Sequence, residues 1–580
     1  MPRPLRGISF FTKSNMKKTI ILSLFILCSM AIQGQKLVIH LNDGSIKENE
    51  VSSLSYIGFA GVMNDTVAIY TDLYFKSGAR QRIKSSTIDY MEFVKEIVVT
   101  PDSCFNEWPG YSPTLSYNFK ENYPNFAMPT QDLPYDGGNL KKKVSDGWWT
   151  VFVGNNANST LTDTGIANLL KRLNTDFAFL RDSMGWPPDL APQKGYRSAV
   201  FVYGSGLSTD DASNTDLGGW QSWITLNGTT YPMILISYYP IYCYDPACPY
   251  SDVAYQTRAV VHEGIHTVLS SMRGGRNAAW INESCNCWLQ NTMELAQGKL
   301  KYSTFEFGWL AGGTVVAPFI PIESYGGWLT DGSFGGPNYE GLNNNTRSLV
   351  GAVQYSELFP TFLGEYLGNY SLPWIWQNCT TTILEGMAKK MGSSQMRRLI
   401  QEYRARLCLS DMGPYENALL KMYRDYMGYS VNPEHGESID SWKATPYAKT
   451  TVDTAGYLIP DELTLPGWTG ANIIPIKVGS SAKTVTVTFD PMTTKNTMSC
   501  QLCYRTATGK TVYGLPVNSG DFTLSLDGGR PASDVVFAVV CNLNYSYTSS
   551  IRTNKYKYRL KLGNGATGTA NVYGNWYRWK

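Results

Sequence analysis

His262-Glu263-Gly264-Ile265-His266 places two of the chain's four histidines four positions apart, with a glutamate beside the first. On an α-helix, residues four apart share a face, so both imidazoles can address one ion. A catalytic zinc site takes three protein ligands and leaves its fourth position to water. Glu263 then stands where it can take that water's proton. Residues 251–272 read as the required helix: Val253, Val260, Val261, Ile265, Val268 and Leu269 recur at helical spacing, and Gly274-Gly275 stops it. Gly264 within it costs about 1 kcal/mol against alanine. Close approach of another backbone, such as a sheet lying across the helix, would account for it.

A second helix is expected to open at Asn277 and to carry Trp280-Ile281-Asn282-Glu283-Ser284. Its Glu283, seventeen positions after His266, can supply the third ligand from an antiparallel neighbour. HEGIH followed by WINES resembles the gluzincin metallopeptidases, above all the WLNEG stretch of alanyl-aminopeptidase-type enzymes, and the chain is also similar to a group of exported bacterial zincin-like proteins. The resemblance is firm over about residues 250–300 and loose in the surrounding domain. It implies that His262, His266 and Glu283 bind Zn²⁺ and that Glu263 is the general base. Two departures stand out. The spacer before Glu283 is shorter than is common in the family. Where some members place an Asp four residues after the ligand Glu to orient the first His, this chain has Cys287, expected as a packed or disulfide-bonded residue or a soft ligand.

The elements that must position these groups are legible upstream. Residues 163–184 read as an amphipathic helix ended by Gly185-Trp186-Pro187-Pro188, and residues 196–203 and 231–238 as strands. Helix, strands, metal helix and Glu helix follow the order of a zincin lobe. Its edge strand, which would pair with a peptide, is expected either at Gly218-Gly219-Trp220 or in 231–238. Downstream, residues 349–370, 383–409 and 414–427 read as helices, and the Gly-rich 302–341 suits a loop lining a cleft. Tyr325, Tyr339 and Tyr355 are candidate oxyanion donors, and His435 sits in a turn-like Pro433-Glu434-His435-Gly436. The oxygen-rich loop 209–216 fits no EF-hand spacing.

The chain carries 580 residues, enough for several domains, with 43% hydrophobic and 17% charged residues. Lys17-Lys18 precede an apolar stretch over residues 19–32, too short to span a bilayer, so residues 1–35 read as a secretory signal peptide. Cys28 follows Ile26-Leu27, where a lipobox wants a small residue. The leader holds five positive charges and no negative one, so the net charge of +3 becomes −2 without it. No basic stripe points to nucleic acid. Eleven cysteines fall to ten after the leader, an even number suited to disulfides in an exported protein, with Cys243 and Cys248 able to close a small loop. Cys500-x-x-Cys503 sits in a strand-like context, which favours a structural over a redox role.

Residues 36–100 hold an internal repeat at a constant offset of 34: Leu41-Asn42-Asp43-Gly44 matches Phe75-Lys76-Ser77-Gly78, and Leu54, Tyr56 and Phe59 match Ile88, Tyr90 and Phe93. Residues 101–147 read as a linker, 148–450 as the metallopeptidase domain and 451–580 as a β-sandwich with period-two strands at 483–489, 521–526, 534–540 and 556–562. The fold class expected is α+β: a zincin-like catalytic domain with a helical C-terminal lobe, a small N-terminal β domain and a C-terminal β-sandwich. The function expected is an exported zinc metallopeptidase acting on a peptide or protein substrate, periplasmic, at the cell surface or secreted, with no transmembrane segment in the mature chain. The alternative is a weakly active or inactive zincin-fold surface protein that binds glycan or protein.

Overall fold

The computed structural model describes residues 35–43, 45–60, 70–95, 115–210, 217–272, 279–307, 314–315, 318–323, 356–380, 382–426, 447–492, 498–546 and 555–570. The chain is mixed α+β and divides into two compact units, Met1–Thr114 with Glu294–Phe305, and Leu115–Met293 with Glu306–Lys580.

In the first unit the 34-residue offset reappears as a pseudo-twofold fold. Strands β1 (Gln35–Leu41), β2 (Ile46–Glu50) and β3 (Leu54–Ala60) are repeated by β4 (Tyr70–Phe75), β5 (Arg80–Lys84) and β6 (Ile88–Lys95). Each repeat pairs its first two strands and takes its third from the other repeat, giving sheets ordered β2-β1-β6 and β3-β4-β5. The exchange is symmetric to the residue. Leu41 pairs with Ile88 as Phe75 pairs with Leu54, both beside a register shift. Asn42 N donates to Thr87 O at 2.9 Å as Lys76 N donates to Ser53 O at 2.7 Å. Leu37, Ile39, Leu54, Leu73 and Ile83 form the core. Neither repeat closes a core alone, which is why the two interlock.

The second unit opens on a five-stranded sheet of β7 (Leu140–Asp146), β8 (Trp149–Gly154), β9 (Ser198–Val202), β10 (Gly219–Leu226) and β11 (Thr229–Ile236), ordered β10-β11-β9-β8-β7. β8, β9 and β11 run parallel, and antiparallel β7 and β10 form the edges. β8 and β9 are buried throughout, hence sequences that are apolar but for Thr150, Gly154 and Ser198. The edge expected at either of two places is therefore β10, with β11 interior. The expected linker over 101–147 is corrected in its described part. Residues 140–146 form edge strand β7, and Leu115, Phe119, Leu133 and Tyr135 are buried. Polar and Pro-rich composition concealed a segment in which Leu133, Tyr135 and Leu140 pack on one face of the sheet.

The opposite face carries helices α1 (Asp163–Asp182) and α2 (Val253–Ser270). Thr162 caps α1 by accepting from Gly165 N at 3.0 Å, and Ile166, Leu169, Leu170, Leu173, Phe177 and Leu180 form its buried stripe. Phe177 meets Trp149 of β8 edge-on at 4.9 Å. The space that a Cβ on Gly264 would need is filled by the Phe177 ring, with Cζ at 2.6 Å, and by Ile234 Cδ1 at 3.2 Å. Side chains from α1 and β11, not another backbone, thus account for the glycine. Helix α3 (Ala279–Ala296) follows, and the glycine stop at 274–275 lies outside the described residues.

Helix α4 (Leu358–Leu367) falls within the stretch expected helical over 349–370. The single helix expected over 383–409 is two, α5 (Ile383–Met391) and α6 (Ser393–Leu409), because Gly392 at φ 90° breaks the ladder between them. Beyond them lie β12 (Thr450–Val452), β13 (Tyr457–Pro460), β14 (Ala471–Val478), β15 (Thr484–Asp490), β16 (Met498–Arg505), β17 (Thr511–Tyr513), β18 (Gly520–Ser525), β19 (Val535–Asn542), β20 (Arg559–Leu562) and β21 (Ala566–Thr569). Sheets β12-β13-β20-β15-β18 and β17-β16-β19-β14-β21 enclose one core. In the first, β15 (Thr484–Asp490) alternates buried Val485, Val487 and Phe489 with half-exposed threonines. In the second, β16 (Met498–Arg505) and β19 (Val535–Asn542) are buried on both faces because α6 covers the outside. Gln401 of α6 donates to Val539 O at 3.3 Å, and Arg505 Nη2 donates to Leu409 O at 2.6 Å. For that reason residues 451–580, expected as a separate sandwich, belong to the same compact unit as the helices. β20 begins only at Arg559, later than the 556 expected.

Candidate metal centre

Helix α2 presents His262 and His266 on one face, and antiparallel α3 brings Glu283 against them. His262 Nε2 and His266 Nε2 lie 3.2 Å apart, and each lies near Glu283 Oε2, at 3.2 and 3.3 Å. The three donor atoms form a nearly equilateral triangle. A tetrahedral cation bonded to each at about 2.0 Å requires donors about 3.3 Å apart, which these nitrogens and this oxygen meet. Nitrogen and carboxylate oxygen are also the donor types that zinc takes. Among the described residues this is the one group of three or more His, Cys, Asp or Glu whose donor atoms converge in this way. His262 and Glu283 keep about a fifth of their side-chain surface open to solvent, while His266 is buried.

What orients the ligands is a row of amides that the sequence reading passed over. His266 Nδ1 lies 3.3 Å from Asn282 Oδ1, so an Nδ1–H donor leaves the Nε2 lone pair facing the centre. Asn286 Nδ2 donates to the carbonyl oxygen of His262, and Gln290 Nε2 to that of Arg258, both at 2.9 Å. Asn282, Asn286 and Gln290, spaced by four on α3, thus run antiparallel to His266, His262 and Arg258, spaced by four on α2. Together they fix the helix pair in register. Asn286 is fully buried, and a polar amide at a core-facing helical spacing was the signal available in the sequence. Cys287, weighed as a ligand, lies outside the cluster. Burial, with Glu357 and Glu283 nearby, pushes its thiol far up, so it stays protonated.

Glu263 points at the edge strand. Its Oε2 accepts the backbone amide of Gln221 at 2.7 Å. That N–H therefore points away from β11, so the outer edge of β10 faces α2. Burial raises the Glu263 carboxyl above its ordinary value, partly offset by the neighbouring imidazoles of His262 and His266. Burial also opposes ionisation of Glu283, but hydrogen bonds and charge from both histidines outweigh it and hold the carboxyl at about 2. For His266, burial works against the charged form and the contact with Glu283 overcomes it, so its pKa rises. A third support is Asp189, which caps its own turn through Ala191 N at 2.8 Å and accepts from Thr267 Oγ1, beside His266, at 3.3 Å. Burial pushes its carboxyl up to about 6.

The remaining candidates divide. Tyr325, Tyr339, Tyr355 and His435 lie outside the described residues. Asp210, from the oxygen-rich loop, spends both carboxylate oxygens on the amides of Gly204 and Gly206, at 3.1 and 2.6 Å, and residues 211–216 lie outside. The nine described cysteines are free thiols; Cys243 and Cys248 Sγ stand 3.8 Å apart. Cys500 and Cys503 sit three apart on strand β16, where side chains alternate, and so face opposite sides of the sheet. Among the described residues no helix is long and apolar enough to cross a membrane. Compared with protein-family models, curated proteins and solved structures, the chain matches none.

Proposed function

We propose that this chain is an exported zinc-dependent peptidase of gluzincin-like design. The observation that carries the reading is the triangle of His262 Nε2, His266 Nε2 and Glu283 Oε2, 3.2–3.3 Å on a side, with the Glu263 carboxylate next to it on the same helix. When bound there, zinc supplies a water of lowered pKa and polarises a carbonyl. His262, His266 and Glu283 hold the ion, and Asn282 keeps His266 in the tautomer that can bind it. Glu263 takes a proton and returns it to the leaving amine. Gln221 N–H fixes where that carboxylate stands. The place of β10 at the edge of its sheet supports a peptide as substrate, since an extended chain can add to an edge as a further strand.

The test combines metal analysis with cleavage of an unbiased peptide library by the protein collected outside the cell. About one zinc per chain and cleavage that Glu263→Gln removes are expected. A zinc-loaded protein that cleaves nothing would assign the fold to ligand binding instead. Absence of zinc after supplementation would remove the metal centre itself. Export carries its own check: the mature chain is expected to begin near residue 35, and a retained leader refutes it.

A further inference from the structure

The segment Cys243-Tyr244-Asp245-Pro246-Ala247-Cys248 turns back on itself ahead of the metal helix. Asp245 and Pro246 take the first two places of a β-turn, in which Cys248 N donates to Asp245 O at 2.9 Å. Asp245 Oδ1 also accepts from Ala247 N at 2.9 Å, the side-chain bond that suits Asp to this place. The turn brings the two sulfurs to 3.8 Å, with Cys243 buried and Cys248 half-buried. A disulfide holds its sulfurs about 2.0 Å apart, so each need move by only about 1 Å. The same loop clamps two helices. Asp245 accepts from Thr162 Oγ1, the cap of α1, and Tyr244 O accepts from Asn168 Nδ2 of α1 at 2.9 Å. Tyr244 OH donates to Thr257 O at 2.7 Å, near the start of α2.

We propose that Cys243 and Cys248 are a disulfide-forming pair, and that the closed ring locks this loop between α1 and the start of α2. The oxidant is a donor disulfide. Burial and the adjoining Cys248 thiol raise the Cys243 thiol, so the more accessible Cys248 reacts first. Its thiol gives its proton to solvent and its sulfur bonds to one donor sulfur. The donor S–S bond breaks, and one donor thiolate leaves and takes up a proton. Cys243 then loses its proton and attacks Cys248 Sγ, which expels the second donor thiolate, protonated in turn. Two protein thiols are oxidised to one disulfide, and the donor disulfide is reduced to two thiols. The ring spans six residues, so its effect is local to the clamp. None of the loop's contacts reaches His262, His266 or Glu283, so the pair and the metal centre stand or fall separately.

The experiment incubates the purified protein with oxidised or with reduced glutathione, then alkylates and digests it with trypsin. Residues 198–258 hold no other cysteine and no lysine or arginine before Arg258, so the pair lies within one peptide. After oxidised glutathione this peptide is expected to take up no alkylating agent and to be lighter by two hydrogen atoms. After reduced glutathione it is expected to take up two alkyl groups. Hydrogen exchange at residues 253–257 is expected to slow several-fold in the oxidised protein. Cys248→Ser, a change in a half-buried loop residue, is expected to exchange alike in both buffers. Should it fail to fold, oxidised and reduced wild type decide the matter between them. Two alkylated thiols in this peptide after oxidised glutathione, or a lasting mixed disulfide with glutathione in place of the ring, overturn the proposal. So does equal exchange at residues 253–257 in the open and closed forms.

Discussion

The backbone N–H of Gln221, on the outer edge of β10, donates to Oε2 of Glu263 at 2.7 Å. The proposed base is thus positioned by the strand proposed to receive the peptide, and one bond ties the two halves of the proposed site. The side chain of Gln221 adds a second tie, since its Oε1 accepts from Ser270 Oγ at 3.3 Å at the far end of the metal helix.

Glu263→Gln is expected to fold normally and keep its zinc, because a glutamine carbonyl can still accept the Gln221 N–H. Activity is expected to fall by several orders of magnitude, the loss of a general base that also generates the nucleophile. Glu263→Ala leaves that half-buried amide without its protein partner and is expected to cost about 1 kcal/mol besides. Chemical denaturation alongside peptide turnover distinguishes the two, and a Gln variant that cleaves like wild type refutes the assignment.

Of the three proposed ligands, His266 predicts opposite pH behaviour with and without metal. Without it, the Glu283 contribution is present above its unfolded value of 4.5 and is lost as pH falls toward about 2. The His266 contribution is present below its unfolded value of 6.5 and is lost as pH rises through its raised folded value. Zinc requires both imidazoles neutral, so its contribution grows with pH. The gap in Tm between zinc-loaded and chelated protein is expected to widen from about pH 5 to about pH 8. Glu283→Ala is expected to lower zinc occupancy and close most of that gap; a gap constant across the range refutes the site.

Gly264→Ala tests why the metal helix tolerates a glycine. Helix propensity alone favours alanine by about 1 kcal/mol. Its methyl would stand 2.6 Å from Phe177 Cζ, on a ring already packed against Trp149 at 4.9 Å. Overpacking of that kind costs about 1–3 kcal/mol, so destabilisation of up to about 2 kcal/mol is expected from denaturant unfolding. Phe177→Leu in the same chain is expected to recover part of it, and a stabilised Gly264→Ala would show that Phe177 moves freely.

Glu323 predicts a separate pH slope. Its Oε1 accepts from Leu384 N at 2.6 Å at the start of α5, while its Oε2 is buried with no partner. Burial raises the carboxyl to about 8, against the pull of the Leu384 and Ile383 amides. The unfolded chain loses this proton near 4.5, so stability is expected to decline as pH rises from about 4.5 to about 8. Glu323→Gln, whose carbonyl can take over the contact with Leu384, is expected to flatten that part of the profile. An unchanged slope in equilibrium unfolding refutes the claim.

The sequence by itself determined the features that depend on local period. Helical spacing aligned His262 with His266, a second helix start placed Glu283 within reach, and the 34-residue offset marked the interlocked repeats. Alternation gave β15, and an apolar run gave β19. Tertiary structure decided what depends on contacts between distant segments. It chose β10 over β11 as the edge and turned its Gln221 amide toward Glu263. It drew residues 140–146 into the sheet and set Asn282, Asn286 and Gln290 against the metal helix. It also laid α6 over the second sheet and buried Arg404 beneath it. The physical reason is one of range. Periodicity reports which face of an element is buried, because that face is set by its own backbone geometry. What covers the face, and which donor meets which acceptor across it, is fixed by chain segments whose spacing in sequence carries no such record.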